Sequence, residues 1–227
     1  MNAIIVQARM GSSRLPGKVL ADLDGTPLLV RLVRRLRGAR LVPEVVVATT
    51  DLPQDDVVAD AVAAEGVHVF RGDPHDVLGR FCAAAESLDS RLIARVSADS
   101  PFLDAATVDL VASAYDDAGV DIVQSHREPG WPVGTAVEVF ERACLDRLDR
   151  TAREPRVREH VTLYAYEHPE AFTTLWVPPP EDCRGEDLSL VVDVPDDLVR
   201  ARLVQRRVAG DASLGSVVAA ARTLERS

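Results

Sequence analysis

Short apolar runs recur along this chain and alternate with amphipathic segments. The runs cover residues 4–6, 44–50, 67–70, 92–96 and 120–123. They are rich in valine, isoleucine and other strand-forming residues. Most of them are nearly continuous apolar rows, the pattern of strands that are buried on both faces. The sequence therefore predicts five strands inside a protein core.

Segments with apolar residues at helical spacing lie between these runs, at residues 28–36, 57–62, 74–87 and 105–114. Regular alternation of strand and helix is typical of a mostly parallel sheet that is covered by helices on both faces. The predicted fold class is therefore α/β, with three layers in the order αβα. Sheets of this kind bind their ligands at the carboxyl ends of the strands.

The regular alternation stops between residues 125 and 186. In order, the sequence predicts a loop around residues 129–134, a strand at 137–140, a helix at 154–166 and an extended piece that ends at three prolines, 178–180. Such a departure is where an α/β domain would carry an acceptor pocket or a subunit contact. Trp131 and Trp176 are predicted to be exposed in this segment.

The regular pattern returns with an apolar run at residues 188–192 and two C-terminal helices. A chain of 227 residues, 47% of them hydrophobic, can bury one sizeable core, and no spacer suggests a second. We therefore predict a single domain over residues 1–227, in which residues 125–186 form an irregular insertion.

The composition narrows the class of protein. The formal net charge of −10 argues against a general nucleic-acid binder. Cys82, Cys144 and Cys183 lie far apart and in no CxxC pair, so neither a disulfide framework nor a thiolate zinc site is indicated. No window approaches the roughly 18 apolar residues of a membrane span, and the opening run lacks a basic segment before it. We therefore expect a cytoplasmic protein without membrane contact.

The first predicted strand runs directly into a loop of glycines, serines and cations, residues 9–18. Glycines let a backbone approach a ligand closely, and serine hydroxyls add hydrogen-bond donors. Arg9, Arg14 and Lys18 could neutralise a polyphosphate there. The composition and position of this loop predict a phosphate-binding site.

Lys18 is notable within that loop. Of the 26 basic residues, Lys18 is the single lysine and the other 25 are arginines. Either the site needs a compact ammonium rather than a planar guanidinium, or the lone lysine is an accident of composition. The loop is not a Walker A motif, because five residues separate Gly11 from Gly17 and Val19 stands where the magnesium-binding hydroxyl should be.

Two acids follow predicted strands and are candidates for a metal site. Asp99 comes directly after the strand at 92–96, and Asp193 after the run at 188–192. Two carboxylates at the ligand-binding edge could hold Mg²⁺ against a triphosphate, since Mg²⁺ prefers carboxylate and phosphate oxygens. The alternative is that each one caps the helix behind it. A third acidic group, Asp22 and Asp24, precedes Gly25 and is predicted to form a turn.

The residues from Gln7 to Lys18, QARMGSSRLPGK, resemble the entry motif of cytidylyltransferases that make activated sugars. The resemblance is to the spore-coat-polysaccharide type, close to the synthetases of CMP-sialic acid and CMP-Kdo, and it covers nearly the whole chain. It implies a Rossmann-like nucleotide-diphospho-sugar transferase fold. It also implies transfer of CMP from CTP to a sugar or sugar acid, with release of pyrophosphate, by a homodimer that uses Mg²⁺.

The resemblance assigns roles to particular residues. Catalysis falls on Arg14, Lys18 and Asp99. Nucleotide binding falls on Gln7, Ala8, Arg9, Gly11, Ser12, Ser13, Arg14, Lys18, Thr49, Thr50, Arg71, Arg95, Ser97 and Asp99. Acceptor binding falls on Glu138, Arg158, Glu159 and His160, and metal binding on Asp99 and Asp193.

Two departures from the family pattern concern the site. Ala98 replaces the usual glycine before the metal aspartate, and Ala136 stands where related chains often have an acid. Glu159 and His160 take adjacent helical positions that point in different directions, so we do not expect them to act together as a general base. For these two residues, a structural or dimer-contact role is the alternative to acceptor binding. Two other functions stay open: a glycosyltransferase of similar fold that uses a nucleotide sugar, and a non-catalytic nucleotide-binding protein.

Overall fold

The computed structural model describes residues 1–116, 118–125, 130–208, 210 and 212–225. Its strands are β1 (Asn2–Gln7), β2 (Glu44–Thr50), β3 (His68–Gly72), β4 (Leu92–Ser97), β5 (Ile122–Gln124), β6 (Glu138–Glu141) and β7 (Thr174–Trp176). They form one sheet in the order β3-β2-β1-β4-β6-β5-β7. The four strands from β3 to β4 are parallel, and β6 lies antiparallel to β4 and β5. The predicted mostly parallel sheet is confirmed.

The helices are α1 (Leu28–Leu36), α2 (Asp56–Ala63), α3 (Val77–Ser87), α4 (Ala105–Ser113), α5 (Arg142–Thr151), α6 (Pro155–Glu159), α7 (Leu163–Glu167), α8 (Pro195–Gln205) and α9 (Leu214–Glu225). Side chains of α1, α2 and α4 pack with one face of the sheet, and those of α3, α5 and α6 pack with the other. In β1, Ile4 and Val6 face the first group of helices and Ile5 faces the second. This burial on both faces explains why the strand sequence is apolar without alternation.

The segment of residues 125–186 differs in places from its sequence-based description. It supplies β6 and β7 to the sheet, so the sheet extends through it. The predicted helix at 154–166 is wrong as a single element, because Val161 has a φ of 52° and separates α6 from α7. A left-handed conformation is strained for a β-branched residue, and it ends the helix there.

Two further expectations for the last third of the chain are wrong. Residues 188–192 do not join the sheet, since within them only Ser189 forms an isolated bridge, to Val133. Trp131 is 5% exposed rather than open to solvent, and its indole N–H donates to the Val177 carbonyl at 2.6 Å. Trp176, on the edge strand β7, is 46% exposed as expected. Pro129, in the predicted loop, lies outside the described residues.

Among the residues described, no helix has the length and apolar character needed to cross a membrane.

Candidate active site

The carboxyl ends of β1 and β4 and the loop after β1 enclose an open cleft of about 450 Å³. The cleft is lined by many of the residues that the sequence singled out: Gln7, Ala8, Arg9, Gly11, Ser12, Ser13, Arg14, Lys18, Ser97, Asp99, Glu159, His160 and Asp193. Val19, Val77, Arg80 and Ala98 also line it. The position matches the general rule that ligands of an open α/β sheet bind beyond the carboxyl ends of its strands.

The loop of residues 9–18 is held by a buried acid that the sequence reasoning missed. Asp55 is fully buried and accepts a hydrogen bond from the Met10 backbone N–H at 2.6 Å and another from the Thr50 hydroxyl. The Met10 carbonyl in turn accepts from the backbone N–H groups of Ser12 and Gly17. Gly17 takes a φ of 73°, which a glycine adopts without strain. Asp55, which follows β2, thereby holds the start of the loop of residues 9–18 in place.

Lys18 joins the two aspartates that follow β4 and residues 188–192. Its ammonium lies 3.1 Å from Asp99 Oδ2 and 3.0 Å from Asp193 Oδ1, and its side chain is only 11% exposed. Arg14 contacts the other oxygen of Asp193 at 2.7 Å. The Val192 N–H donates to the Asp99 carbonyl at 2.9 Å, which holds the two chain segments side by side. Two carboxylates and two cations therefore meet at one end of the cleft.

The helices behind these two aspartates are capped by other residues. Asp104 accepts from the Thr107 N–H at the start of α4, and Asp197 accepts from the N–H groups of Asp193 and Val194 at the start of α8. The carboxylates of Asp99 and Asp193 thus face the cleft and Lys18 instead of a helix end. No cluster of three or more metal-binding side chains occurs among the described residues. A pair of carboxylates suits Mg²⁺, which completes its shell with water and phosphate oxygens.

Arg95 and Glu138 form a buried network behind the cleft wall. Glu138 lies 2.6 Å from Arg95 Nη1 and accepts hydrogen bonds from the hydroxyls of Thr162 and Tyr166. Arg95 also donates to Gln7 Oε1 at 3.3 Å. Burial, and then the charge of Glu138, raise the pKa of Tyr166 well above its usual value, so the phenol stays protonated as a donor. Because Gln7 Oε1 accepts from Arg95, the end of the Gln7 side chain that can face a ligand in the cleft is its amide nitrogen, a hydrogen-bond donor.

Four residues assigned to nucleotide binding lie outside the cleft lining: Arg95, described above, and Thr49, Thr50 and Arg71. Thr49 and Thr50 are buried at the end of β2. Arg71, at the end of β3, lies 2.7 Å from Asp56 and donates to the Thr50 and Leu52 carbonyls. These contacts hold together the wall of the site. The turn at Asp22 is separate from the cleft and has the predicted form, with Asp22 Oδ1 accepting from the Gly25 N–H at 2.9 Å.

The segment of Arg158, Glu159 and His160 divides its side chains between two environments. Glu159 lines the cleft and lies 3.1 Å from Arg9, and His160 also lines the cleft. Arg158 points away and lies 2.7 Å from both Asp76 and Asp149. Of the four residues assigned to the acceptor, Glu159 and His160 are therefore placed to touch a ligand directly, whereas Arg158 and Glu138 lie behind the wall.

The ion pair of Arg158 and Asp76 shifts the pKa of the carboxyl group. Burial alone would raise the pKa of Asp76, but hydrogen bonds from Arg158 and from the Gly79 N–H lower it below its usual value. A carboxylate with a lowered folded-state pKa stabilises the fold above its unfolded pKa of about 4, and that stabilisation is lost as pH falls through the folded value.

We expect Arg158→Met to lower the free energy of unfolding at pH 7 by about 1–2 kcal/mol, because partly screened charge-assisted hydrogen bonds are lost. The difference from the unaltered chain should shrink as pH falls from about 4 through the lowered folded-state pKa of Asp76, because the protonated carboxyl no longer gains from Arg158. Urea unfolding at pH 7, 5, 4, 3 and 2.5 measures both quantities. A difference that stays constant over this range would mean that the Asp76 charge contributes nothing.

The three cysteines do not take part in the cleft. Cys82, Cys144 and Cys183 are free, and burial raises the pKa of each thiol to about 12. At neutral pH they are therefore protonated and inert as nucleophiles or metal ligands.

Comparison with known proteins connects this geometry to a family. Residues 3–208 match the family model described as "Cytidylyltransferase". The chain is 35% identical over 198 residues to the spore coat polysaccharide biosynthesis protein SpsF of Bacillus subtilis, with 85% of this chain and 81% of that protein covered. It is 30% identical over 237 residues to a 3-deoxy-manno-octulosonate cytidylyltransferase of Anaeromyxobacter dehalogenans, with 88% and 96% covered.

The fold agrees with these sequence relatives. A solved structure of a cytidylyltransferase from Leptospira borgpetersenii superimposes with a TM-score of 0.92 at 27% identity, covering 99% of this chain and 94% of that one. The resemblance predicted from residues 7–18 is thereby confirmed.

Proposed function

The chain belongs to the cytidylyltransferase family, and from that membership we propose that it transfers a CMP group from CTP to an oxygen of a sugar or sugar acid, releasing pyrophosphate. The acceptor class is supported by the relative that is named for 3-deoxy-manno-octulosonate. The observation that carries the proposal is the meeting of Lys18, Arg14, Asp99 and Asp193 beside the loop of residues 9–18.

The proposed reaction asks for little covalent chemistry from the protein. The oxygen of an acceptor hydroxyl attacks the α-phosphorus and its proton passes to solvent, the bond from that phosphorus to the bridging oxygen breaks, and pyrophosphate leaves with the electron pair. The backbone of the loop and Arg9, Arg14 and Lys18 hold the triphosphate and neutralise its charge. The remaining rate acceleration comes from holding the nucleotide and the acceptor in one cleft, with the attacking oxygen oriented toward the α-phosphorus.

Asp99 and Asp193 would hold Mg²⁺ through their carboxylate oxygens. The bound ion would neutralise charge on the triphosphate oxygens and thereby favour the departure of pyrophosphate. In the ligand-free chain the Lys18 ammonium keeps the two carboxylates from repelling each other, because both lie within 3.1 Å of it.

Pyrophosphate release tests the proposal. The protein is mixed with CTP, MgCl₂ and a panel of sugars and sugar acids, and pyrophosphate is measured with a coupled enzyme. Release that depends on both CTP and one acceptor supports the proposal. Transfer from a nucleotide sugar without pyrophosphate would favour the glycosyltransferase instead, and CTP binding with no product from any member of a broad panel would favour the non-catalytic protein.

We also propose that the protein is a homodimer that contacts its partner through residues 125–186. The edge strand β7 supports this, because it is the last strand of the sheet and carries the exposed side chains of Leu175 and Trp176. A monomeric mass from small-angle scattering at micromolar concentration would contradict the homodimer.

We also propose that the enzyme is cytoplasmic, since its free cysteines suit a reducing compartment.

A further inference from the structure

Arg80, a residue that the sequence analysis did not assign to the site, is a buried cation on the cleft wall. It lies in α3, is 3% exposed and lines the cleft together with Val77 of the same helix. Its Nη1 donates to the Asp73 carbonyl, whereas its Nε is buried with no hydrogen-bond partner among the described residues. A methyl group added to Gly72 would lie 3.1 Å from Arg80 Cγ, so the arginine stem is closely packed and its head is fixed in place.

The acids near Arg80 are committed to other groups. Asp76 pairs with Arg158, Asp55 accepts from Met10 and Thr50, and Asp73 accepts from the His75 N–H. Within the described parts of the chain, no carboxylate lies at ion-pair distance from the Arg80 guanidinium. Burial and then the positive charge of Arg9 lower the pKa of Arg80, and the more distant charges of Asp76, Asp55 and Asp73 offset this only in part. The fold therefore holds a buried cation without a direct ion pair next to a second cation.

An arrangement of this kind costs stability in the ligand-free chain. A buried charge without a partner is unfavourable, and two neighbouring cations add repulsion. A purely structural arginine would be expected to have a carboxylate partner, as Arg158 has. Side chains that destabilise the ligand-free fold are often found at binding sites, where a ligand provides the missing interaction. Arg80 and Arg9 line the same cleft, and Glu159, the acid partner of Arg9, lies half-exposed at its rim.

We propose that Arg80 and Arg9 form a subsite that binds an anionic oxygen group of a substrate, either a phosphate of the nucleotide or the carboxylate of a sugar acid. The proposal rests on the proposed function and adds a binding residue to that cleft. The N–H groups of the Arg80 guanidinium that are not bonded to the Asp73 carbonyl can donate to either group, and the bound anion supplies the direct ion pair that Arg80 lacks.

The decisive variant is Arg80→Met, which keeps most of the volume of the side chain and removes the charge. Without ligand its melting temperature should equal or exceed that of the unaltered chain, because a buried charge without a direct ion pair is gone. Arg158→Met is the matched control, since it removes an arginine whose acid partners are present and should melt at a lower temperature. If Arg80→Met melts well below the unaltered chain or fails to fold, Arg80 is a structural residue and the proposal is wrong.

Ligand binding gives the second readout, and it does not require turnover. Inorganic pyrophosphate, CTP and 3-deoxy-manno-octulosonate are each titrated against the unaltered chain, Arg80→Met and Arg80→Lys, by calorimetry. Loss of charge-assisted hydrogen bonds should weaken the affected ligand roughly 10- to 100-fold in Arg80→Met and less in Arg80→Lys. Weakened pyrophosphate and CTP identify a phosphate subsite, and a weakened sugar acid identifies a carboxylate subsite.

Unchanged affinity for all three probes in Arg80→Met would overturn the subsite. This outcome differs from a failure of the proposed function: in that case the unaltered chain releases no pyrophosphate with any acceptor, whatever Arg80 binds.

Discussion

Asp99→Asn and Asp193→Asn are each expected to lower kcat by about a hundredfold or more while the chain stays folded. Both carboxylates face the Lys18 ammonium at the end of the cleft, and neither caps a helix. Each substitution removes one negative charge from the proposed Mg²⁺ site and keeps the size and shape of the side chain. Steady-state kinetics at a series of MgCl₂ concentrations, with circular dichroism on the same samples, measures the effect.

A control for the aspartate variants lies on the same connection between β4 and α4. Asp104→Ala removes the hydrogen bonds to the starts of α4 and α9 and should lower the free energy of unfolding by about 1–3 kcal/mol while leaving kcat unchanged. If Asp99→Asn or Asp193→Asn keeps nearly full turnover at saturating MgCl₂, that aspartate has no part in the metal site.

Lys18→Arg is expected to lose at least tenfold in kcat/KM for CTP with no change in melting temperature. The lysine is 11% exposed and its ammonium fits between Asp99 and Asp193, 3.1 Å and 3.0 Å away. Arg14 already contacts the other oxygen of Asp193, at 2.7 Å, so a guanidinium at position 18 would compete with it and would place its charge differently from the ammonium. A misplacement of about 1 Å can cost on the order of a hundredfold in rate.

The Lys18 comparison also decides between two explanations of the sequence. If the lone lysine among 26 basic residues is an accident, Lys18→Arg keeps the charge and should be silent. If a compact ammonium is required, Lys18→Arg lowers kcat/KM. The control is Arg34→Lys, which changes a solvent-exposed arginine paired with Glu65 and should leave kcat/KM unchanged. Kinetic constants for Lys18→Arg equal to those of the unaltered chain would remove the argument from the lone lysine.

The Glu138 network shows how a residue can serve the cleft without lining it. Glu138 holds Arg95, and Arg95 holds the Gln7 amide that lines the cleft. Thr162, which also donates to Glu138, follows the strained Val161 and fixes the turn after His160. The buried carboxylate of Glu138 thereby positions Gln7 on one side of the cleft and the turn after His160 on the other. Any effect of Glu138 on a reaction would be exerted through Gln7 and His160.

The elements of the central sheet could be predicted from the sequence because their signals are local. A strand buried on both faces is apolar over its central residues, as β1 is at residues 3–6, and a helix repeats its apolar residues every three to four positions, as α1 does. The prediction of phosphate binding by residues 9–18 also rests on a local signal, since glycine, serine and cations lie within a few residues of each other. The resemblance of residues 7–18 to the cytidylyltransferases followed from the same stretch.

Only the tertiary structure decided which distant side chains meet. Asp99 and Asp193 converge on Lys18 because residues 188–192 pack beside the end of β4, although they form no strand of the sheet. The break at Val161 could not be predicted either, because the helical pattern of residues 154–166 is overridden by the packing of Thr162 against Glu138. Arg80 resembles any other arginine in a helix until the fold buries it and assigns every nearby acid to another partner. Local pattern predicts the central strands, most of the helices and the loop after β1, whereas the pairing of charges depends on contacts between residues far apart in sequence, which no local pattern specifies.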